Sequence, residues 1–141
     1  MTSSDDPVEV RVEGTADPSW VEQVHAACDE LWLRAPGTPE PDRLRFETAV
    51  IELATNVVRH TRPDGPDPVR TEVVLRSAGP RLEAELADTG TAVPVDLDPG
   101  PVDDLAESGR GIRLVLRAVD SLSLDRERGR NVWRVVRTRG G

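Results

Sequence analysis

The sequence predicts an α+β fold, a two-layer sandwich in which three helices cover one face of a mixed, mostly antiparallel sheet. Three observations predict it. Alternating runs (period two) and stripes at three- and four-residue steps follow one another in the order β-α-α-β-β-loop-α-β-β. Two short turns, Ala78-Gly79-Pro80 and Glu127-Arg128-Gly129-Arg130, each join two alternating runs, which is the pattern of a hairpin. The apolar residues of the first two helical stretches fall in one stripe each, so each of those helices has a face to bury, and a sheet is the partner at hand.

In order, residues 1–7 read as a disordered leader and residues 8–139 as one domain. Val8, Val10 and Val12 alternate with charged residues as a half-buried strand. Ser19 or Asp17 can cap a helix running to about Arg34, with Trp20, Val24, Cys28 and Leu31 on its stripe. Ala35–Pro41 breaks it and starts the next, where Phe46, Ala49, Val50, Leu53 and Val57 recur at helical spacing up to about Thr61. Strands follow over Val69–Ser77 and Arg81–Ala87. Thr91 to Ser108 is rich in Pro, Asp and Gly without periodicity, and a loop of that length in a compact domain is usually a lid or binding loop. Gly109-Arg110-Gly111 opens a third helix over Ile112–Asp120, and Leu122–Arg126 with Val132–Arg137 closes the chain as a hairpin.

Composition narrows the chemistry. The formal net charge of -8 argues against direct nucleic-acid binding, which needs clustered positive potential. All 18 basic residues are arginine, so a mechanism that needs a lysine is excluded. The single cysteine, Cys28, forms no internal disulfide and reads as a buried thiol of a reducing cytoplasm. The acidic start Met1-Thr-Ser-Ser-Asp-Asp-Pro7 has no apolar core, so no signal peptide is expected. No apolar run approaches the roughly 20 residues of a membrane span.

Two polar residues stand at the border of the second helix's stripe. Glu52 and Asn56 are one turn apart, and a carboxylate and an amide beside a core are costly unless something pairs with them. Alone they read as residues flanking a core. Asp88-Thr89-Gly90 alone is a good turn, with Gly90 free to take a positive φ. Gly109-Arg110-Gly111 alone is a weak phosphate signal, although a helix start offers free N–H groups without any lysine. Together the parts match an ATP site. The Asn56 amide oxygen suits Mg²⁺, Glu52 can accept a proton near the γ-phosphate, and Asp88 can accept a hydrogen bond from an adenine amino group.

This combination resembles the GHKL ATPase superfamily, which has the histidine-kinase-like ATPase fold with an ATP lid. It is most similar to the stand-alone anti-sigma factor serine/threonine kinases of bacteria, over nearly the whole chain. Glu52-Leu-Ala-Thr-Asn56-Val-Val-Arg-His60 looks like that family's N-box, Ala87-Asp88-Thr-Gly90 like its first glycine box, and Ser108-Gly109-Arg-Gly111-Ile-Arg-Leu114-Val115 like its second. The resemblance implies Glu52 as general base and Asn56 as Mg²⁺ ligand. It implies Asp88 as the adenine contact, Gly90 as the residue that lets the chain pass the base, and Gly109, Arg110, Gly111 and Ile112 as the run at the phosphates. It also implies ATP and Mg²⁺ as cofactors, a STAS-type antagonist as phosphorylated partner, a sigma factor as inhibited partner, and a homodimer as a frequent state. Two departures stand out. Ala92 occupies a position that is often glycine in the family, and the last hairpin has no threonine after Gly129, so either Asn131 substitutes or nothing does. A nucleotide-binding or nucleotide-free module that sequesters a regulatory protein is the alternative to a kinase, and the retained Glu52 favours the kinase.

Overall fold

The computed structural model describes residues 7–92 and 107–139, the side chains of 107–110 excepted. In chain order the elements are β1 (Val8–Thr15), α1 (Pro18–Arg34), α2 (Glu40–His60), β2 (Arg70–Ala78), β3 (Arg81–Asp88), α3 (Glu107–Ala118), β4 (Ser121–Glu127) and β5 (Arg130–Thr138). The expected leader, apart from Pro7, and residues 93–106 of the expected lid lie outside the described residues.

Local chemistry sets the element ends. Asp17, not Ser19, caps α1: its carboxylate accepts from the Ser19 N–H at 2.9 Å, and Pro18 takes the first turn, where no N–H is needed. In α2, Glu40 and Asp42 occupy the first turn and Arg59 and His60 the last, each sign at the end of the helix dipole that favours it. Gly79 turns the β2–β3 hairpin at φ 55°. Arg128 and Gly129 turn the β4–β5 hairpin at φ 52° and 77°, the paired positive values of a tight primed turn.

The strand order is β1-β2-β3-β5-β4. Every pairing is antiparallel, so the mixed sheet of the sequence reading resolves to an antiparallel one among the described residues. The reason lies between β1 and β2. Two helices, one out and one back, return the chain to the end where β1 stopped, and Thr15 pairs with Arg70. A single crossover helix is what a parallel pair needs.

The three helices pack on one face, with α2 between α1 and α3. The core joins Trp20, Val24 and Leu31 of α1, Phe46, Val50 and Leu53 of α2, and Val115 of α3 to Leu75, Leu82, Leu86 and Val135 of the sheet. Cys28 lies in this core, where burial first and the nearby Glu47 and Asp29 carboxylates second push its thiol far up, so it stays protonated and inert. On the other face, ion pairs run across all five strands: Glu9–Arg76 at 2.9 Å, Arg76–Glu85 at 3.5 Å, Glu85–Arg134 at 3.8 Å and Arg134–Glu127 at 2.7 Å. The sheet is therefore apolar toward the helices and charged toward solvent, as one-sided antiparallel sheets are.

Helix α3 departs from the sequence reading at both ends. It begins at Glu107, so Gly109 and Gly111 lie inside it, and it stops at Ala118 instead of Asp120. Glycine costs helix propensity, which is why pattern alone starts the helix after Gly111. At the other end Asp120 is drawn into pairing with β5: its N–H donates to the Val136 carbonyl at 2.8 Å, and its carboxylate accepts from the Thr138 N–H.

Candidate functional site

Glu52 and Asn56 sit on the flank of α2 that faces α3, both half-buried. Neither side chain has a hydrogen bond among the described residues. What stands opposite them is Gly111. A Cβ built on Gly111 would lie 3.1 Å from Asn56 Nδ2 and 3.3 Å from Glu52 Oε2. The glycine is there because any side chain would fill the space over the carboxylate and the amide. Its N–H lies beyond the first turn of α3, whose N–H groups are the ones without intrahelical partners. Among the described backbone, Glu107, Ser108 and Gly109 occupy that first turn. Gly109 thus lies in the first turn of α3, and Gly111, in the next, leaves room over Glu52 and Asn56. Ile112, the next residue, is buried in the core and anchors the helix there. The side chain of Arg110 lies outside the described residues.

One end of α2 reaches the second cluster. Thr61, its C-cap, donates its hydroxyl to Asp88 Oδ1 at 3.2 Å. The same oxygen accepts the Gly90 N–H at 2.9 Å and Asn131 Nδ2 at 3.0 Å. Asp88 is 2% exposed, and three donors on one oxygen hold it as a well-fixed carboxylate. Its other oxygen, Oδ2, has no hydrogen bond among the described residues, which leaves one acceptor available. Gly90 is confined from three sides: a Cβ there would overlap the Thr61 hydroxyl and lie 2.9 Å from both the Arg62 carbonyl and Asp88 Oδ1. The two clusters are linked by the rise of α2 itself, about 14 Å from Glu52 to Thr61. Two candidate clusters therefore lie along one helix, a carboxylate and an amide at one and a buried carboxylate at the other.

Of the residues the sequence singled out, the structure brings Glu52, Asn56 and Gly111 together, and separately Asp88 and Gly90. Three contributors escaped the sequence reading or were left open by it. Thr61 has a weak signal, a hydroxyl residue at a helix end. Arg126 has none, because its contacts are long-range. Asn131, opposite Asp88 in the β3–β5 register, donates its amide to the Asp88 carboxylate. Among the described residues no group of three His, Cys, Asp or Glu side chains could hold a metal ion. A concavity of about 500 Å³ opens on the charged face of the sheet, lined by Arg70, Glu72 and Arg130 among others. It lies on the side of β3 where Ala87 and Thr89 point, opposite Asp88, and Arg130 pairs with Glu72 there at 3.8 Å. No helix among the described residues is long and apolar enough to cross a membrane.

Residues 14–137 match the model of a family described as the histidine kinase-like ATPase domain. No curated protein matches the chain. Among solved structures, the RsbU and RsbW domains of Rv1364c from Mycobacterium tuberculosis are similar at 16% identity and a TM-score of 0.68, over 94% of this chain and 32% of that one. The histidine kinase domain of a blue-light activated histidine kinase from Erythrobacter litoralis is similar at 20% identity and a TM-score of 0.52, over 85% of this chain and 59% of that one. The chain thus spans about a third and about three-fifths of these two structures, and at such identities the likeness is one of fold.

Proposed function

This chain belongs to the histidine kinase-like ATPase domain family, and from that premise we propose that it binds Mg-ATP along α2 and transfers the γ-phosphoryl group to a serine or threonine of a STAS-type antagonist protein, and that it otherwise holds a sigma factor inactive. The observation that carries the reading is Gly111 set against Glu52 and Asn56, which keeps a proton acceptor and an oxygen ligand uncovered beside a helix start. The motif resemblance to anti-sigma factor kinases, and the likeness in fold to a chain that carries an RsbW domain, support the choice of partners.

In this reading the base end of the nucleotide meets Asp88, whose Oδ2 accepts from the amino group, and Gly90 lets the backbone pass close by. The phosphates lie toward α3, where the N–H groups of its first turn, Gly109 among them, and Arg110 meet them. Asn56 would hold the magnesium ion that accompanies the nucleotide: its amide is half-buried and unpaired among the described residues, and its oxygen is the hard ligand such an ion prefers. When bound, magnesium neutralises charge on the phosphates. Glu52 takes the proton of the attacking hydroxyl as its oxygen bonds to the γ-phosphorus, while the bond from that phosphorus to the β–γ bridging oxygen breaks and ADP leaves.

The test is intact-mass analysis of a candidate STAS-domain protein after incubation with this chain and Mg-ATP. One added phosphate is expected. Glu52→Gln should keep Mg-ATP binding and lose about 10²- to 10⁴-fold in transfer, and Asn56→Ala should lose Mg-dependent binding. Wild-type affinity in Asn56→Ala sinks the site assignment. Tight partner binding without added phosphate makes the chain a sequestering module.

A further inference from the structure

We propose that Arg126 is a positioning residue for the base end of the site: it fixes the Asn131 amide in the one orientation that holds the Asp88 carboxylate ready for a purine amino group. The use of this device rests on the nucleotide reading above; its geometry does not.

Arg126, on β4, reaches across the end of β5. Its Nη1 donates to the Gly90 carbonyl at 2.6 Å and to Asn131 Oδ1 at 3.2 Å. Its Nη2 lies 3.5 Å from the Asp64 carboxylate in the connection after α2. With its oxygen held by a cation, the Asn131 amide turns Nδ2 toward Asp88 Oδ1 at 3.0 Å and the Thr91 carbonyl at 2.9 Å.

An amide has a second orientation, with oxygen and nitrogen exchanged. Here that would set Asn131 Oδ1 against a carboxylate and a carbonyl, and its NH₂ against a guanidinium. All three Asn131 contacts would turn repulsive. Arg126 and the two acceptors therefore select the same state, and the bond to the guanidinium is the charge-assisted, stronger kind. Remove the guanidinium and two buried acceptors, Asn131 Oδ1 and the Gly90 carbonyl, lose the donor given to them here. Both residues are buried, Asn131 to 2% exposure, so the loss falls where unpaired groups are costly. Asp88 then keeps Thr61 and the Gly90 N–H, while its third donor, Asn131 Nδ2, is held in orientation by the Asp88 and Thr91 acceptors alone.

Hence position 131 depends on position 126. A threonine at 131 has no amide to flip, so a hydroxyl placed to donate to Asp88 would do so without the arginine.

Binding of ATP and of purine riboside triphosphate, which lacks the 6-amino group, reads the carboxylate's position. Amide exchange of the nucleotide-free protein reads the clamp itself. Wild type should prefer ATP by about tenfold, the worth of one hydrogen bond to a charged group. Arg126→Ala should bring that ratio toward one, Arg126→Lys should restore part of it, and Arg126→Ala in an Asn131→Thr background should change it little. Without nucleotide, Arg126→Ala should speed exchange of the Gly90 and Thr91 amides about tenfold or more and leave the β2–β3 ladder unchanged. A wild-type ATP preference in Arg126→Ala overturns the proposal, as does equal loss in both backgrounds. If wild type binds neither nucleotide, the function reading fails and takes the purine part with it; unchanged exchange in Arg126→Ala then overturns the positioning part.

Discussion

Two of the four carboxylates of helix α2, Asp42 and Glu52, stand in opposite circumstances. Asp42, in its first turn, is 3% exposed, and its Oδ1 accepts from Arg137 Nε at 3.0 Å and Nη2 at 2.8 Å. Glu52, further along, is only half-buried and has no partner among the described residues. Arg137 also donates to the Ala118 carbonyl at 2.9 Å, so the Asp42 pair ties the start of α2, the end of α3 and β5 together. The lesson is about where a protein leaves polar groups unpaired. A charge deep in the core is admitted only with its partners, while one without a partner among the described residues at the core's border is open to a ligand or substrate.

The largest effect expected breaks the first half of that comparison. Asp42→Ala leaves a buried guanidinium without its carboxylate and should cost about 3–5 kcal/mol, lowering the melting temperature by about 10 °C or more. The double variant Asp42→Ala, Arg137→Met should recover much of the loss, because an apolar pair of similar volume is often as good as a buried ion pair. Glu52→Ala should stay within about 0.5 kcal/mol of wild type. Thermal and urea unfolding measure all three, and an Asp42→Ala protein that melts with wild type would erase the distinction.

Gly111→Ala sharpens the second half with a smaller effect. Alanine gains about 1 kcal/mol of helix propensity over glycine. Its Cβ would lie 3.1 Å from Asn56 Nδ2 and 3.3 Å from Glu52 Oε2, and both side chains must shift slightly to admit it. Stability should therefore hold or rise while Mg-ATP affinity falls about tenfold or more, since the space lost belongs to the ligand and not to the core. Melting curves beside a binding titration separate the two, and unchanged affinity would mean that Gly111 serves packing only.

These cases also show what the sequence could reveal. Stripes such as Phe46–Val50–Leu53–Val57 and the two hairpins were legible because they depend on neighbours three or four residues away, or on one turn. Glu52 and Asn56 were legible as a pair for the same reason, and Asp88 through its place at a strand end. The Asp42–Arg137 pair was not, because its members are 95 residues apart and neither is unusual locally. Arg126 was hidden likewise, one arginine among many until the fold laid it over Gly90. The start of α3 was misplaced because tertiary packing outweighs the propensity of Gly109 and Gly111. That same packing sets Gly111 against Glu52 and Asn56, the contact on which the proposed site rests.

A third carboxylate separates burial from partnering. Asp120 is exposed like a surface residue yet partnered like a core one. The Thr138 N–H first, then the Thr138 hydroxyl and the charge of Arg137, hold its carboxyl below the ordinary value of 3.8. A depressed folded-state value stabilises the fold above the unfolded value, and that stabilisation is lost as pH falls through the folded one. Asp120→Asn keeps an oxygen for the Thr138 N–H and loses only the charge, so its effect should be the smallest of the series. Urea unfolding of wild type and Asp120→Asn from about pH 7 to about pH 3 should show a small constant gap that closes below 3.8. A gap that persists to the acid end would assign it to altered packing. Partnering would then stabilise only where burial accompanies it, and Asp42 would owe its whole effect to its place in the core.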